Sequence, residues 1–228
     1  MATIFFPSCK TTNSFKESHE LLLRYLKKKV QLHEPINKEE GVVLGGCCRT
    51  THQLLRAGDK ALVCCNNCAA LIEENSAAQI EFVWQLIYKD PDFDFPDYEG
   101  EKITVQDCWA AFEKLDLQNT IRSLLRKMNF QVLEQEENFS RTKFHGTMLL
   151  GPCPPGNAKL VKKRYVLNGS HMFTPMNDEE KKIFLTKHCK KIKTPRVCTY
   201  CKSCTDGINI GGLKGVHILE LLFPTEKI

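Results

Sequence analysis

The chain has 228 residues, 42% of them hydrophobic and 26% charged, which supports one large core or two compact lobes and excludes a disordered chain. No apolar run approaches the roughly 18 residues that a membrane-spanning helix needs. The opening MATIFFPSCK lacks the basic region, long apolar stretch and small-residue cleavage site of an export signal. The net charge of +5, from 32 basic and 27 acidic residues, is too small to require a nucleic-acid partner.

In chain order, short apolar or β-branched runs bounded by Gly, Pro or Cys predict strands at 4–6, 42–44, 61–63, 103–105, 147–150 and 196–197. Helical spacing of apolar residues fills 14–30, with Asn13 or Ser14 as its cap, and recurs over 66–88 and 108–128, the latter capped by Asp107. Strands alternating with helices predict an α/β fold of two related lobes, each a small, mostly parallel sheet flanked by helices. The segment 89–100, KDPDFDFPDYEG, has two prolines, a glycine and no helical period. It reads as an ordered linker between a first lobe at 1–99 and a second at 100–228; a docking surface made of Phe93, Phe95 and Tyr98 is the alternative. Residues 129–146 and 155–176 show no clear period. The basic runs 27–29, 162–164 and 187–193 read as solvated helix faces.

An internal repeat supports the two lobes. Cys65-x-x-Cys68 and Cys201-x-x-Cys204 each lead into an apolar helical pattern, with Leu86 and Leu222 both 18 residues beyond the second cysteine. Val43-Leu44-Gly45-Gly46-Cys47-Cys48 aligns with Leu149-Leu150-Gly151-Pro152-Cys153-Pro154, and the strand ending at Cys9 aligns with the one ending at Cys108.

Twelve cysteines in a chain without an export signal read as metal or redox chemistry in a reducing cytoplasm rather than as a disulfide framework. Strand-end cysteines gather at the carboxyl rim of a parallel sheet, where helix N-termini favour the thiolate. The first lobe supplies Cys9, Cys47, Cys48, Cys65 and Cys68, one sulfur more than a closed zinc site accepts. Neighbouring side chains on extended backbone diverge, so Cys47 and Cys48 suit a polynuclear iron–sulfur cluster better than one ion. The second lobe offers Cys108, Cys153, Cys201 and Cys204, with Cys198 as a substitute, for an iron–sulfur cluster or zinc. Cys64 reads as a buried structural thiol and Cys189 as incidental. His145, His188 and His217 read as ordinary packing or surface residues, with proton supply near a cluster as the alternative. Arg49, directly after the cysteine pair, is a candidate contact for an anionic substrate or for the cluster's negative charge.

FFPSC, then GGCC after a strand, then a strand ending in C-x-x-C resembles the cysteine-rich CCG domain, in two copies across nearly the whole chain. That domain occurs in the disulfide-cleaving component of heterodisulfide reductase and in iron–sulfur components of lactate and glycolate oxidation systems. The resemblance implies a noncubane [4Fe-4S] cluster on Cys9, Cys47, Cys48, Cys65 and Cys68, acting on a thiol, disulfide or similar soft substrate. Arg49 stands where the family has glycine, Pro154 replaces the second cysteine of the second pair, and only 16 residues separate Cys48 from Cys65. No G-x-G-x-x-G follows a strand, so electrons come from a separate donor protein. The expected activity is an iron–sulfur oxidoreductase of oxygen-poor physiology, or its catalytic subunit. The rivals are a non-catalytic electron-transfer or assembly subunit and a zinc-stabilised interaction module.

Overall fold

The computed structural model describes residues 2–30, 32–33, 42–45 and 47–225; of the GGCC motif, Gly46 lies outside the described residues. The first lobe runs β1 (Thr3–Phe6), α1 (Cys9–Ser14), α2 (Lys16–Lys29), β2 (Leu32–His33), β3 (Val42–Leu44), α3 (Cys48–Thr51), β4 (Lys60–Val63), α4 (Asn66–Asn75), β5 (Gln79–Phe82) and α5 (Val83–Lys89). Its five strands are all parallel, in the order β2-β3-β1-β4-β5. The second lobe runs β6 (Lys102–Val105), α6 (Leu115–Lys127), β7 (Gln131–Leu133), α7 (Pro155–Leu160), α8 (Asp178–Cys189), β8 (Arg196–Thr199), α9 (Lys202–Ile210), β9 (Lys214–His217) and α10 (Ile218–Leu222). Its four strands are also parallel, in the order β7-β6-β8-β9. The α/β expectation is therefore met, and the two sheets share one plan. In each, the strand before the C-x-x-C helix pairs with the lobe's first strand on one side and with the strand after that helix on the other.

Burial explains the strands. Ile4, Phe5 and Phe6 of β1 and Ala61, Leu62 and Val63 of β4 are all buried, as central parallel strands covered on both faces require. In α2 the inward stripe is Ser18, His19, Leu22 and Leu26, and Lys27 to Lys29 fall in the last turn, where cations suit the helix dipole.

Four local expectations are corrected. The pattern over 66–88 is not one helix: Ser76 turns its hydroxyl back to the Ile72 carbonyl (3.0 Å), and the following Gln79–Phe82 joins the sheet beside β4. The pattern over 108–128 divides into a 3-10 turn at Trp109–Ala111 and α6, and Asp107 caps neither. Likewise Asn13 and Ser14 belong to α1, while Ser8 supplies its cap by accepting from the Thr11 amide. Finally, 147–150 is a 3-10 segment, Gly146–Leu150, and not a strand. Pro152, Pro154 and Pro155 follow it, and prolines cannot donate to a central ladder. The sheet position expected for that strand is held by β7.

The segment 90–100 is pinned from several sides. Asp90 accepts from Lys29 Nζ (2.8 Å) and Tyr25 Oη (2.9 Å), and Asp92 from Lys29 Nζ (2.8 Å). Phe93 packs edge-on to Tyr25 and Phe223, and Tyr98 Oη donates to the Leu221 carbonyl (2.9 Å). The aromatic side chains considered as a docking surface are thus engaged with α2, α6 and the end of α10. The carboxyl rims of the two sheets face each other: Phe15 stacks on His217 (centroids 4.9 Å apart), and Asn157 exchanges amide hydrogen bonds with Asn67.

Candidate metal centres

Three loops of the first lobe deliver sulfur to one cavity. After β1, Ser8 adopts φ 68°, a left-handed conformation costly for a non-glycine residue, and Cys9 follows as the first residue of α1. After β3, Cys47 precedes α3 in extended conformation and Cys48 begins that helix, so the adjacent pair sits across a helix start. The His52 ring donates through Nδ1 to the Cys48 carbonyl (2.7 Å) and ties α3 to its 3-10 extension. After β4, Cys65 precedes α4 and Cys68 lies in its first turn. All five of these cysteines line a cavity of about 190 Å³, with Cys9 and Cys47 exposed at its edge and Cys48 and Cys68 buried.

The five sulfurs are electrostatically linked. Hydrogen bonding from the Cys68 thiol lowers Cys65 to about 7, and Ser8 adds to this, while burial opposes it. The same donor lowers Cys48 below the ordinary thiol value. Cys68, donating to both, is raised. Cys9 is raised by burial and by its neighbour Cys47. Hydrogen bonding thus eases ionisation of Cys48 and Cys65 even without an ion, and a positive centre would favour their thiolates further. The cations Lys10, Arg49 and Lys202 also line this cavity. Arg49 donates to Asn157 Oδ1 (3.2 Å), bridging α3 to α7.

The second lobe closes the far wall with a different donor set. One ring nitrogen of His145 and the sulfurs of Cys108 and Cys201 lie within 4.8 Å of one another, the one such trio among the described residues. Cys204 hydrogen-bonds to Cys108 and Cys201 and adjoins the trio without falling within that same mutual distance. Hydrogen bonds from Cys108 and Cys204 carry Cys201 well below the ordinary thiol value. Burial would lower His145, but charge and hydrogen-bond interactions with Cys108 and Cys201 beside it raise it to about 10. Its Nδ1 is buried without a partner. Cys201 and His145 both line the same cavity as the five first-lobe cysteines, and the charge of Cys201 is felt at Cys65.

A buried polar brace holds this second group. Asp107, fully buried, accepts from Arg122 Nη1 (3.1 Å) and Nη2 (2.7 Å), from the Phe139 amide (2.8 Å) and from Tyr200 Oη (2.8 Å). Tyr200 Oη in turn accepts from the Cys108 amide (3.4 Å). The residue before each of Cys108 and Cys201 is thereby joined to the other by one hydrogen bond. Glu134 accepts from Arg122 Nε (2.6 Å) and Nη2 (2.8 Å), and the Gln118 carbonyl from Nη1 (3.0 Å). His145 is set by its neighbours: the Trp109 amide donates to the Phe144 carbonyl (2.7 Å), and Gly146 (φ 53°) lies so close to α9 that a Cβ there would stand 1.7 Å from the Ser203 carbonyl oxygen.

Not every cysteine expected at a metal centre arrives there. Cys153 is half-buried in the proline-bounded segment, is raised by burial alone and stands outside both groups. Cys198 is buried inside β8 near Arg122 and Asp107, with its thiol raised by burial and directed to the Thr199 carbonyl (3.9 Å). Cys64 and Cys189 are buried; Cys64 lines the cavity, and Cys189 packs against Gly211 and faces the Ile208 carbonyl. Among the histidines, His188 stacks on Phe144 and hydrogen-bonds Gln106, away from the sulfurs. His217 lines the cavity with its Nδ1 accepting from the Leu219 amide (3.2 Å), which leaves the proton on a buried, unpartnered Nε2. Sequence reasoning missed His145 as a donor and the whole Asp107–Arg122–Tyr200 brace. The His145-Gly146 dipeptide was the available signal, since a glycine beside a chemistry-bearing residue often marks close backbone approach. Comparison with protein-family models, curated proteins and solved structures gave no match.

Proposed function

We propose that the chain is an iron–sulfur oxidoreductase, or the catalytic subunit of one, acting on a thiol, disulfide or similar soft substrate. The observation that carries this reading is the convergence of Cys9, Cys47, Cys48, Cys65 and Cys68 from three loops on one small cavity. The donor set fits the noncubane [4Fe-4S] cluster implied by the CCG resemblance. There is one sulfur more than a closed mononuclear site takes, two are adjacent in sequence, and these first-lobe sulfurs include no trio mutually within 4.8 Å. Such a cluster, when bound, supplies an iron site for soft ligands and a store for single electrons. Around it, Lys10 and Arg49 attract an anionic substrate, and the Nε2–H of His217 offers a hydrogen bond inside the cavity.

Reduction of a disulfide consumes two electrons and two protons and yields two thiols. The electrons would come from a donor protein, since the sequence carries no flavin or nicotinamide motif. All twelve cysteines are free, which accords with a cytoplasmic, reducing setting, and no described helix is long and apolar enough to cross a membrane. The test is anaerobic purification with iron and sulfide analysis, followed by electron paramagnetic resonance of the oxidised protein with and without a small thiol or disulfide. A spectrum shifted by the thiol supports the proposal. Iron-free protein overturns it, and a cluster whose spectrum ignores every thiol and disulfide assigns the chain to electron relay instead.

A further inference from the structure

The second group differs from the first in scale and in donor chemistry. Its trio of donor atoms is held within 4.8 Å; Cys108, His145 and Cys204 are buried, and Cys201 is half-buried at the cavity wall. In a tetrahedral zinc site with bonds of about 2.0–2.3 Å, ligand atoms stand roughly 3.5–3.8 Å apart. A contraction of at most about 1 Å brings the trio to that spacing. A polynuclear cluster must instead fit several irons and inorganic sulfides between its thiolates, and a trio this close leaves no room for them.

We propose that Cys108, His145, Cys201 and Cys204 form a tetrahedral site for a single zinc ion, separate from the five-cysteine centre and independent of that centre's function. The C-x-x-C bite of Cys201 and Cys204 spans the first turn of α9, Cys108 comes from the end of β6, and His145 comes from the turn pressed against α9. Three sulfurs and one imidazole nitrogen are a recurrent structural zinc set. Two sulfurs and an imidazole nitrogen packed this closely suit an ion or protons between them, Cys204 adjoins them in the first turn of α9, and the Asp107–Tyr200 brace fixes the loops of Cys108 and Cys201 before any ion arrives. His145 takes the place that the sequence pattern offered to Cys153.

The test uses the full chain carrying Cys48→Ala and Cys65→Ala, which removes the first centre. Purified with zinc present, it should hold one zinc per chain and no sulfide. Exchanged with Co²⁺, it should show the visible bands of a tetrahedral cobalt–thiolate site. His145→Ala should weaken Co²⁺ binding at least 10-fold, whereas His145→Cys should keep one metal per chain and shift the cobalt bands toward a four-sulfur spectrum. The last variant retains a ligand, so its spectrum separates coordination from a general loss of folding. Iron and sulfide in the double variant, or zinc content and cobalt spectrum unchanged by both His145 substitutions, would overturn the proposal.

Discussion

Tyr200→Phe is the most informative single change because it deletes one oxygen from the brace and nothing else. That oxygen donates to Asp107 Oδ1 at 2.8 Å and accepts from the Cys108 amide at 3.4 Å, both in the interior. A hydrogen bond to a charged group contributes about 1.5–3 kcal/mol, and a buried amide left without a partner costs about 1–3 kcal/mol, the lower end applying to a contact this long. Asp107 keeps both Arg122 nitrogens and the Phe139 amide, so its charge stays paired and the damage stays local. The expected loss is about 3 kcal/mol. Urea unfolding of metal-free wild type and variant, followed by circular dichroism, should show the midpoint falling by about 1 M for a slope of roughly 3 kcal/mol per molar. Metal affinity of the Cys108–His145–Cys201–Cys204 group should fall about 10- to 100-fold, as for other groups that orient ligands. A stability change below about 0.5 kcal/mol would refute the idea that this oxygen couples the two cysteine loops.

Gly146→Ala places a Cβ against the Ser203 backbone at a positive φ, so it should cost about 3–5 kcal/mol and lower the melting temperature by about 10 °C, with loss of second-group metal; a near-native melt would contradict the packing. Cys48→Ala should remove most iron from the first centre while leaving the metal of the second, and Cys189→Ala should leave metal content unchanged; elemental analysis of the purified variants checks both. His188 is lowered to about 4, chiefly by burial and secondarily by Lys191, with Glu137 opposing. The folded state therefore resists protonation that the unfolded chain accepts near 6.5, so this stability is complete above that pH and is lost as the pH falls toward 4. The loss is about 3 kcal/mol, and the pH dependence of unfolding should become shallower over that window in His188→Gln, with His217, lowered to about 4 by burial, keeping the rest.

The strands were legible where burial on both faces produces an uninterrupted apolar run. TIFF, KALV and KITV announce parallel strands with no help from their surroundings. What failed were segments whose fate depends on partners. Gln79–Phe82 carries an apolar spacing that suits a helix equally well, and only the free edge of β4 decides for a strand. Thr147 to Leu150 is as apolar as a strand, but the prolines behind it deny it a ladder, and the Leu149 and Leu150 carbonyls accept instead from Thr174 and Met176. β7 was invisible because a three-residue strand with two half-buried side chains leaves almost no pattern.

The candidate site divides along the same line. Spacing and strand-end position bring Cys9, Cys47, Cys48, Cys65 and Cys68 together, because each sits in the loop or first helical turn that follows a parallel strand. The repeat does not transfer the cysteine pair to the second sheet, and topology gives the reason. In the first sheet the neighbour of β1 is β3, which runs out into Cys47 and Cys48; in the second the neighbour of β6 is β7, which runs out into Glu134. The carboxylate of Glu134 closes on Arg122, and Arg122 holds Asp107 and, through it, Tyr200. The second lobe thus has an ionic brace where the first has two sulfurs, and the donor it lacks comes from His145, on a turn that no strand pattern marks. One parallel frame, changed at a single sheet position, presents a wide five-sulfur group on one wall of the cavity and, through Cys201 and His145 on the other, a compact trio completed by Cys108.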